Sequence, residues 1–169
     1  MPHITLLKTK VFSVEEHLTP SHNLYYKIRC GDWVNILPIT PEGRCILIKQ
    51  HRFGINKDTV EVPGGKVDPY EAPEDAIVRE LEEETGYKTD NLVFLGSLPT
   101  NPALLTNEMH FFLGLDCYPE PDRTRFPEKN EDIEIFTVSV NELKDMVQSG
   151  KINHCLSALC ISLALEYKK

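Results

Sequence analysis

The chain has 169 residues, 41% hydrophobic and 26% charged, with 18 basic against 26 acidic side chains and a formal charge of -8. That length fits one domain with a buried core, and the composition is that of an ordinary globular protein, not of a disordered or fibrous one. The acidic balance repels polyanions, which argues against nonspecific nucleic-acid binding but leaves room for a small phosphorylated substrate where cations screen the site.

Met1 to Lys10 lacks the basic stretch and apolar run of a signal peptide, and no segment is long enough to span a membrane, so a cytoplasmic protein is expected. Residues 4–12, 24–29, 33–39 and 45–49 read as strands, being short, β-rich and bounded by Pro, Gly, Asn or Asp. Thr40-Pro41-Glu42-Gly43 reads as a hairpin turn between the last two. Pro63-Gly64-Gly65 signals a loop. After it a helix is predicted from 71 or 72 to 85, with Pro73 in its first turn and Gly86 as its stop. Strands follow at 92–95, 109–115 and 133–138, the last two separated by a loop over 117–130 rich in Pro and charge. Helices at 140–148 and 154–167 close the chain, the second with Cys155, Leu156, Leu159, Cys160 and Leu163 at helical spacing and packing onto a sheet. Mixed strands with helices on both faces make an α/β/α layered domain.

The five cysteines, Cys30, Cys45, Cys117, Cys155 and Cys160, are odd in number and contain no CxxC pair, so they are expected to be buried free thiols. The six histidines show neither HxxxH nor HExxH spacing, and no zinc site follows from them.

The chemistry concentrates between Gly65 and Tyr87. At about 100° per residue, Glu80, Glu83 and Glu84 fall within an arc of about 100°, beside an apolar stripe of Ile77 and Leu81. Like charges at i, i+4 cost an isolated helix about 0.2–0.5 kcal/mol per pair. A hard divalent cation offsets that cost, while a solvated acidic face is the plainer alternative. Gly64 and Gly65 let the backbone approach closely and turn a carbonyl toward the same cation. Arg79 is placed to hold a carboxylate such as Glu71 in a bidentate grip that orients the acids.

Gly65, five residues, Glu71, seven residues, then Arg79-Glu80-Leu81-Glu82-Glu83-Glu84-Thr85-Gly86-Tyr87: this pattern resembles the Nudix box, complete at its fixed charged and glycine positions. Tyr87 stands where the family usually has an aliphatic residue. The resemblance implies a Nudix-type α/β/α sandwich with a mixed β-sheet, plus N-terminal antiparallel strands. It implies Mg²⁺, with Mn²⁺ as a substitute, held by Glu80, Glu83, Glu84 and the Gly64 carbonyl, and a water attacking one phosphorus of a pyrophosphate.

Matches outside the box, from about Trp33 to Leu165, are similar to the ADP-ribose and nucleotide-sugar pyrophosphatase branch. Cys45 to Phe53 resembles its strand ending in Gln and Arg, which makes Arg52 a diphosphate contact, and Glu61-Val62-Pro63-Gly64-Gly65 resembles its entry to the box, which adds Glu61 as a substrate-site acid. Pro102 stands near a proline that shapes the branch's pocket, although Leu104 to Met109 departs from its glycine-containing turn. Glu108 is either a ligand contact or a solvated strand edge. Asn130 to Glu134 resembles the acidic loop that supplies a general base, here Glu131, with Lys129 where relatives are often acidic; Glu83 is the fallback.

Residues 1–32 resemble an extra sheet through which relatives form homodimers, preceding a Nudix core over 33–169 within one domain. Trp33 is read as packing against a nucleobase, a partner subunit or the core. The activity implied is hydrolysis of ADP-ribose or a nucleotide sugar to a nucleoside monophosphate and a sugar phosphate. Nucleoside triphosphates, dinucleoside polyphosphates or capped RNA as substrates, and a non-catalytic nucleotide-sensing module, are the alternatives.

Overall fold

Strand β1 (His3–Lys8) stops where Thr9 competes for the backbone: its Oγ1 accepts from the N–H of Val11 at 3.1 Å and of Phe12 at 2.9 Å. The chain turns back there into β2 (Phe12–Leu18), so the single strand expected over 4–12 is two strands, and β2 is an element the sequence reading lacked. With β3 (Leu24–Cys30) these form an antiparallel sheet in the order β1-β2-β3. The computed structural model describes residues 3–122 and 132–168.

The next strands follow the expected order. β4 (Trp33–Pro38) leads through a turn, in which the Gly43 N–H donates to the Thr40 carbonyl at 2.9 Å with Gly43 at φ 74°, into β5 (Arg44–Arg52). β6 (Lys57–Glu61) and β7 (Gly64–Lys66) precede helix α1 (Pro73–Thr85). β8 (Tyr87–Lys88), β9 (Asn91–Pro99), β10 (Glu108–Leu115), β11 (Tyr118–Pro119) and β12 (Ile133–Ser139) come next, then α2 (Val140–Gln148) and α3 (Cys155–Glu166). β6 was not expected, because its sequence KDTVE is mostly polar and pairs only on the strength of its neighbour β5. β9 outruns its expected bounds through a bulge: the register with β10 shifts between Phe111 and Phe112, opposite Gly96 at φ 133°. The predicted loop over 117–130 begins by pairing β11 with β8, and its 123–130 part lies outside the described residues.

A mixed sheet in the order β7-β4-β10-β9, with β10 parallel to β4, lies beside an antiparallel sheet in the order β12-β5-β6. Alternate residues of one strand point to opposite faces. Val34, Ile36 and Phe112 meet Ala76, Ile77 and Leu81 of α1 on one face. Leu37, Phe111 and Leu113 join a cluster with Cys160, Ile161 and Ala164 of α3 on the other. Helices therefore cover both faces, as an α/β/α sandwich requires.

The boundaries of α1 have local causes: Pro73 sits in the first turn, and the left-handed Gly86, φ 72°, returns its N–H to the Glu82 carbonyl at 2.8 Å. Among the described residues, no helix is long and apolar enough to cross a membrane. The cysteines are all free, but only Cys45, Cys117 and Cys160 are buried; Cys30 is half-buried and Cys155, first residue of α3, is exposed, correcting the expectation of five buried thiols.

Candidate active site

The glycine pair is built into β7, where Asn35 and Val34 of β4 pair with Gly64 and Gly65. A side chain on Gly64 would collide with the Val34 carbonyl and come within 2.9 Å of the Asn35 Cα. One on Gly65 would strike the Glu80 carboxylate. Only glycine lets strand, strand and helix approach this closely.

Arg79 ties the carboxylates together. Its Nε and Nη2 donate to Glu71 Oε1 and Oε2, both at 2.9 Å, which is the bidentate grip expected from sequence. Its Nη1 also donates to Glu80 Oε1 at 2.7 Å and Glu83 Oε2 at 3.0 Å, and its Nη2 to the Lys66 carbonyl at 3.0 Å. Hydrogen bonding to Glu71 and then Glu80 holds the guanidinium above its ordinary pKa against the opposing effect of burial. Glu84, 5% exposed, takes the Gly64 N–H on Oε2 at 2.8 Å. Part of the charge compensation that the sequence reading assigned to a divalent cation thus comes from Arg79.

Glu80, Glu83 and Glu84 share one side of α1 next to the Gly64–Gly65 backbone, and they offer hard oxygen donors suited to Mg²⁺. Their chemistry fits such an ion. Among the described residues no group of three or more His, Cys, Asp or Glu forms a ready-made cage, so the carboxylates are gathered but not closed around a point.

Arg52, at the end of β5, donates through Nε and Nη2 to Glu61 Oε1 and Oε2 at 2.8 and 2.6 Å. The two expected substrate contacts are therefore each other's partners. Burial opposes the charge on Glu61, but Arg52 and the Thr59 hydroxyl hold its carboxyl below the ordinary value. His154 Nδ1 lies 3.7 Å from Glu61 Oε2, and burial lowers the imidazole's pKa despite that carboxylate. Thr59 and His154 were missed from sequence. Thr59 was legible in principle, two residues from Glu61 on the same strand face, whereas His154 is brought in only by the packing of α3.

Pro102 and Glu108 lie exposed on or beside the β9–β10 connection, and among the described residues neither shares a hydrogen bond with the carboxylate cluster. The Glu108 N–H donates instead to Asp32 Oδ1 at 2.9 Å. Trp33 is half-buried against the main core and also lines a cavity of about 210 Å³ with Phe12, Ile28, Cys30 and Leu105, so core packing and cavity lining coexist. Glu131 lies outside the described residues. Burial pushes the Cys45 and Cys117 thiols up to about 11 and Cys160 up to about 12, which makes these three poor nucleophiles.

Comparison with known proteins agrees with this geometry. The NUDIX domain model matches residues 32–154. The chain is 31% identical to an ADP-ribose pyrophosphatase of Bacillus subtilis (strain 168) over 76% of this chain and 69% of that one. It is 25% identical to the ADP compounds hydrolase NudE of Escherichia coli (strain K12) over 98% of this chain and 90% of that one. A crystal structure of an ADP compounds hydrolase superposes with a TM-score of 0.82 at 23% identity, covering 98% of this chain and 91% of the other, and so shares the fold. Gathered carboxylates beside a glycine strand, a layered fold with helices on both faces and a domain match over most of the chain converge: the protein belongs to the Nudix family and is a pyrophosphohydrolase.

Proposed function

We propose that the chain hydrolyses the pyrophosphate linkage of a nucleoside diphosphate derivative, with ADP-ribose or a nucleotide sugar as the leading substrate, in a Mg²⁺-dependent reaction. The observation that carries this reading is the Arg79 knot, which lines up Glu80 and Glu83 next to a Gly64 N–H that fixes Glu84. The similarity to an ADP-ribose pyrophosphatase and an ADP compounds hydrolase supports the substrate class.

Glu80, Glu83, Glu84 and the Gly64 carbonyl would hold the cation, Mg²⁺ or Mn²⁺ in its place. When bound, it neutralises charge developing on the phosphate oxygens. Arg79 orients the acids through its grip on Glu71. Arg52, braced by Glu61, binds the diphosphate, while Pro102, Glu108 and Trp33 border the rest of the substrate. A water oxygen forms a new bond to one phosphorus as the bridging P–O bond breaks. Its proton goes to Glu131, with Glu83 as the fallback base.

Residues 1–32 serve as a homodimerisation element of a single domain whose core spans 33–169. The free thiols fit a reducing, cytoplasmic setting.

Turnover of ADP-ribose, nucleotide sugars, nucleoside triphosphates and dinucleoside polyphosphates, each with Mg²⁺ and with EDTA, tests the reading. The expected products are a nucleoside monophosphate and a sugar phosphate, formed only with metal. Faster turnover of triphosphates or dinucleoside polyphosphates would reassign the substrate, and no product from any member would leave a nucleotide-sensing module.

A further inference from the structure

The β5–β6 hairpin carries a polar group that the proposed mechanism does not use. Gln50 is buried, 8% exposed, and among the described residues its Nε2 has no hydrogen-bond partner. An unpaired buried amide lowers stability, so its persistence in a fold calls for something that binds it. Gln50 is two residues from Arg52 on β5, and both side chains leave the same face. Across the hairpin that face continues with Thr59, in register with Gln50, and Glu61, in register with Ile48.

Among the described residues one acid, Glu61, lies at the centre of this face, and that acid is engaged. Glu61 takes two hydrogen bonds from Arg52 and one from the Thr59 hydroxyl, which also lies 3.4 Å from the Gln50 carbonyl. A braced cation therefore stands next to a neutral N–H donor. An oxygen-rich anion accepts from the amide and is attracted by the guanidinium.

We propose that the Gln50 amide is a further substrate-binding residue, donating its N–H to a phosphate oxygen of a pyrophosphate-bearing ligand beside Arg52. The assignment deepens the proposed function and rests on it. The Arg52 side chain, 43% exposed, forms the outer end of this face two residues from Gln50, and its guanidinium is within reach of a ligand from solvent. Stability is exchanged for affinity: the donor is unmatched in the free protein and matched in the complex.

The test uses Gln50→Met, close in size but without donors, and Gln50→Glu, close in shape but with acceptors only. Binding of ADP and of inorganic pyrophosphate is measured by calorimetry with Ca²⁺ in place of Mg²⁺ and again in EDTA, together with the melting temperature. The expected result for Q50M is a Kd raised about tenfold, the scale of one hydrogen bond, with an unchanged or higher Tm. Q50E weakens binding further by repelling the anion. In steady state Q50M raises KM more than it lowers kcat. Wild-type Kd values in both variants overturn the assignment and make Gln50 a packing residue, as does a wild-type protein that binds neither probe. Failure of the hydrolase reading looks different: the wild type would bind ADP with Gln50 dependence yet turn over no substrate with Mg²⁺.

Discussion

Gly64 and Gly65 are adjacent in sequence, but the atoms they exclude differ, and so do the consequences of replacing them. At Gly64 a methyl group meets the β4 backbone, the Val34 carbonyl and the Asn35 Cα, which have no room to give. Gly64→Ala should therefore cost about 1–3 kcal/mol, as overpacking does, and lower the melting temperature by several degrees. At Gly65 the methyl group meets the Glu80 carboxylate, the far end of a flexible side chain that Arg79 holds, which can shift where backbone cannot. Gly65→Ala should melt close to the wild type while kcat/KM falls about 10- to 100-fold, because a carboxylate of the cluster is displaced. Thermal melts and initial rates on the two variants check this, and the reverse pattern would remove Glu80 from the site.

At the same scale, the Arg79–Glu71 grip was legible because both residues sit at fixed spacing within one short segment. Arg79's further bonds to Glu80 and Glu83 were not, since a wheel gives directions and not reach. The Arg52–Glu61 pair was also hidden, because it depends on the register of a hairpin whose second strand is mostly polar.

Among the elements, α1, α2, α3, β4, β5, β10 and β12 follow from periodicity and punctuation, because each has a continuous apolar stripe or run facing a core. β2 did not, because Glu15, Glu16 and His17 interrupt it. The structure shows why that strand nevertheless forms. Glu15 accepts from Arg29 Nε at 2.9 Å and shares a 2.9 Å contact with His17 Nε2, while His17 stacks between His3 and Tyr25 with ring centroids 5.2 and 5.1 Å away.

The Arg29 hydrogen bond, then that of His17, depress the Glu15 carboxyl from 4.5 to about 2. A carboxyl with a depressed folded pKa contributes stability that is present above its unfolded value and is lost as pH falls through the folded one. The N-terminal sheet should thus loosen between pH 4.5 and about 2. Amide hydrogen exchange should show β2 and β3 losing protection in that window before β4 and β10, and Glu15→Gln should flatten the dependence. Simultaneous loss in all four strands would mean that the sheet has no titration of its own.

For the whole molecule, the N-terminal sheet raises a question of cover. Its β2 face with Glu15 and His17 is polar and internally paired, whereas the other face presents Ile4, Leu7, Phe12, Leu18, Leu24 and Tyr26, all exposed. Register places these six side chains on one side, since Ile4 opposes Glu16, Leu18 opposes Leu24 and Glu16 opposes Tyr26. Apolar surface of this kind, interrupted by Glu16, on a protein of net charge -8 is expected to be an interaction face. The proposed homodimer would cover it, because a two-fold axis brings the same apolar patch to itself. Sedimentation velocity should accordingly give a particle near twice 19.3 kDa. Leu7→Lys and Leu24→Lys, which place charge on that face and touch no residue of the carboxylate cluster, should each shift the particle toward the monomer. The wild-type melting temperature should rise with protein concentration, as mass action requires of a dimer, and the variants' should not. A wild-type protein that sediments as a monomer at tens of micromolar would leave this face uncovered and would separate the Nudix core's chemistry from any subunit contact.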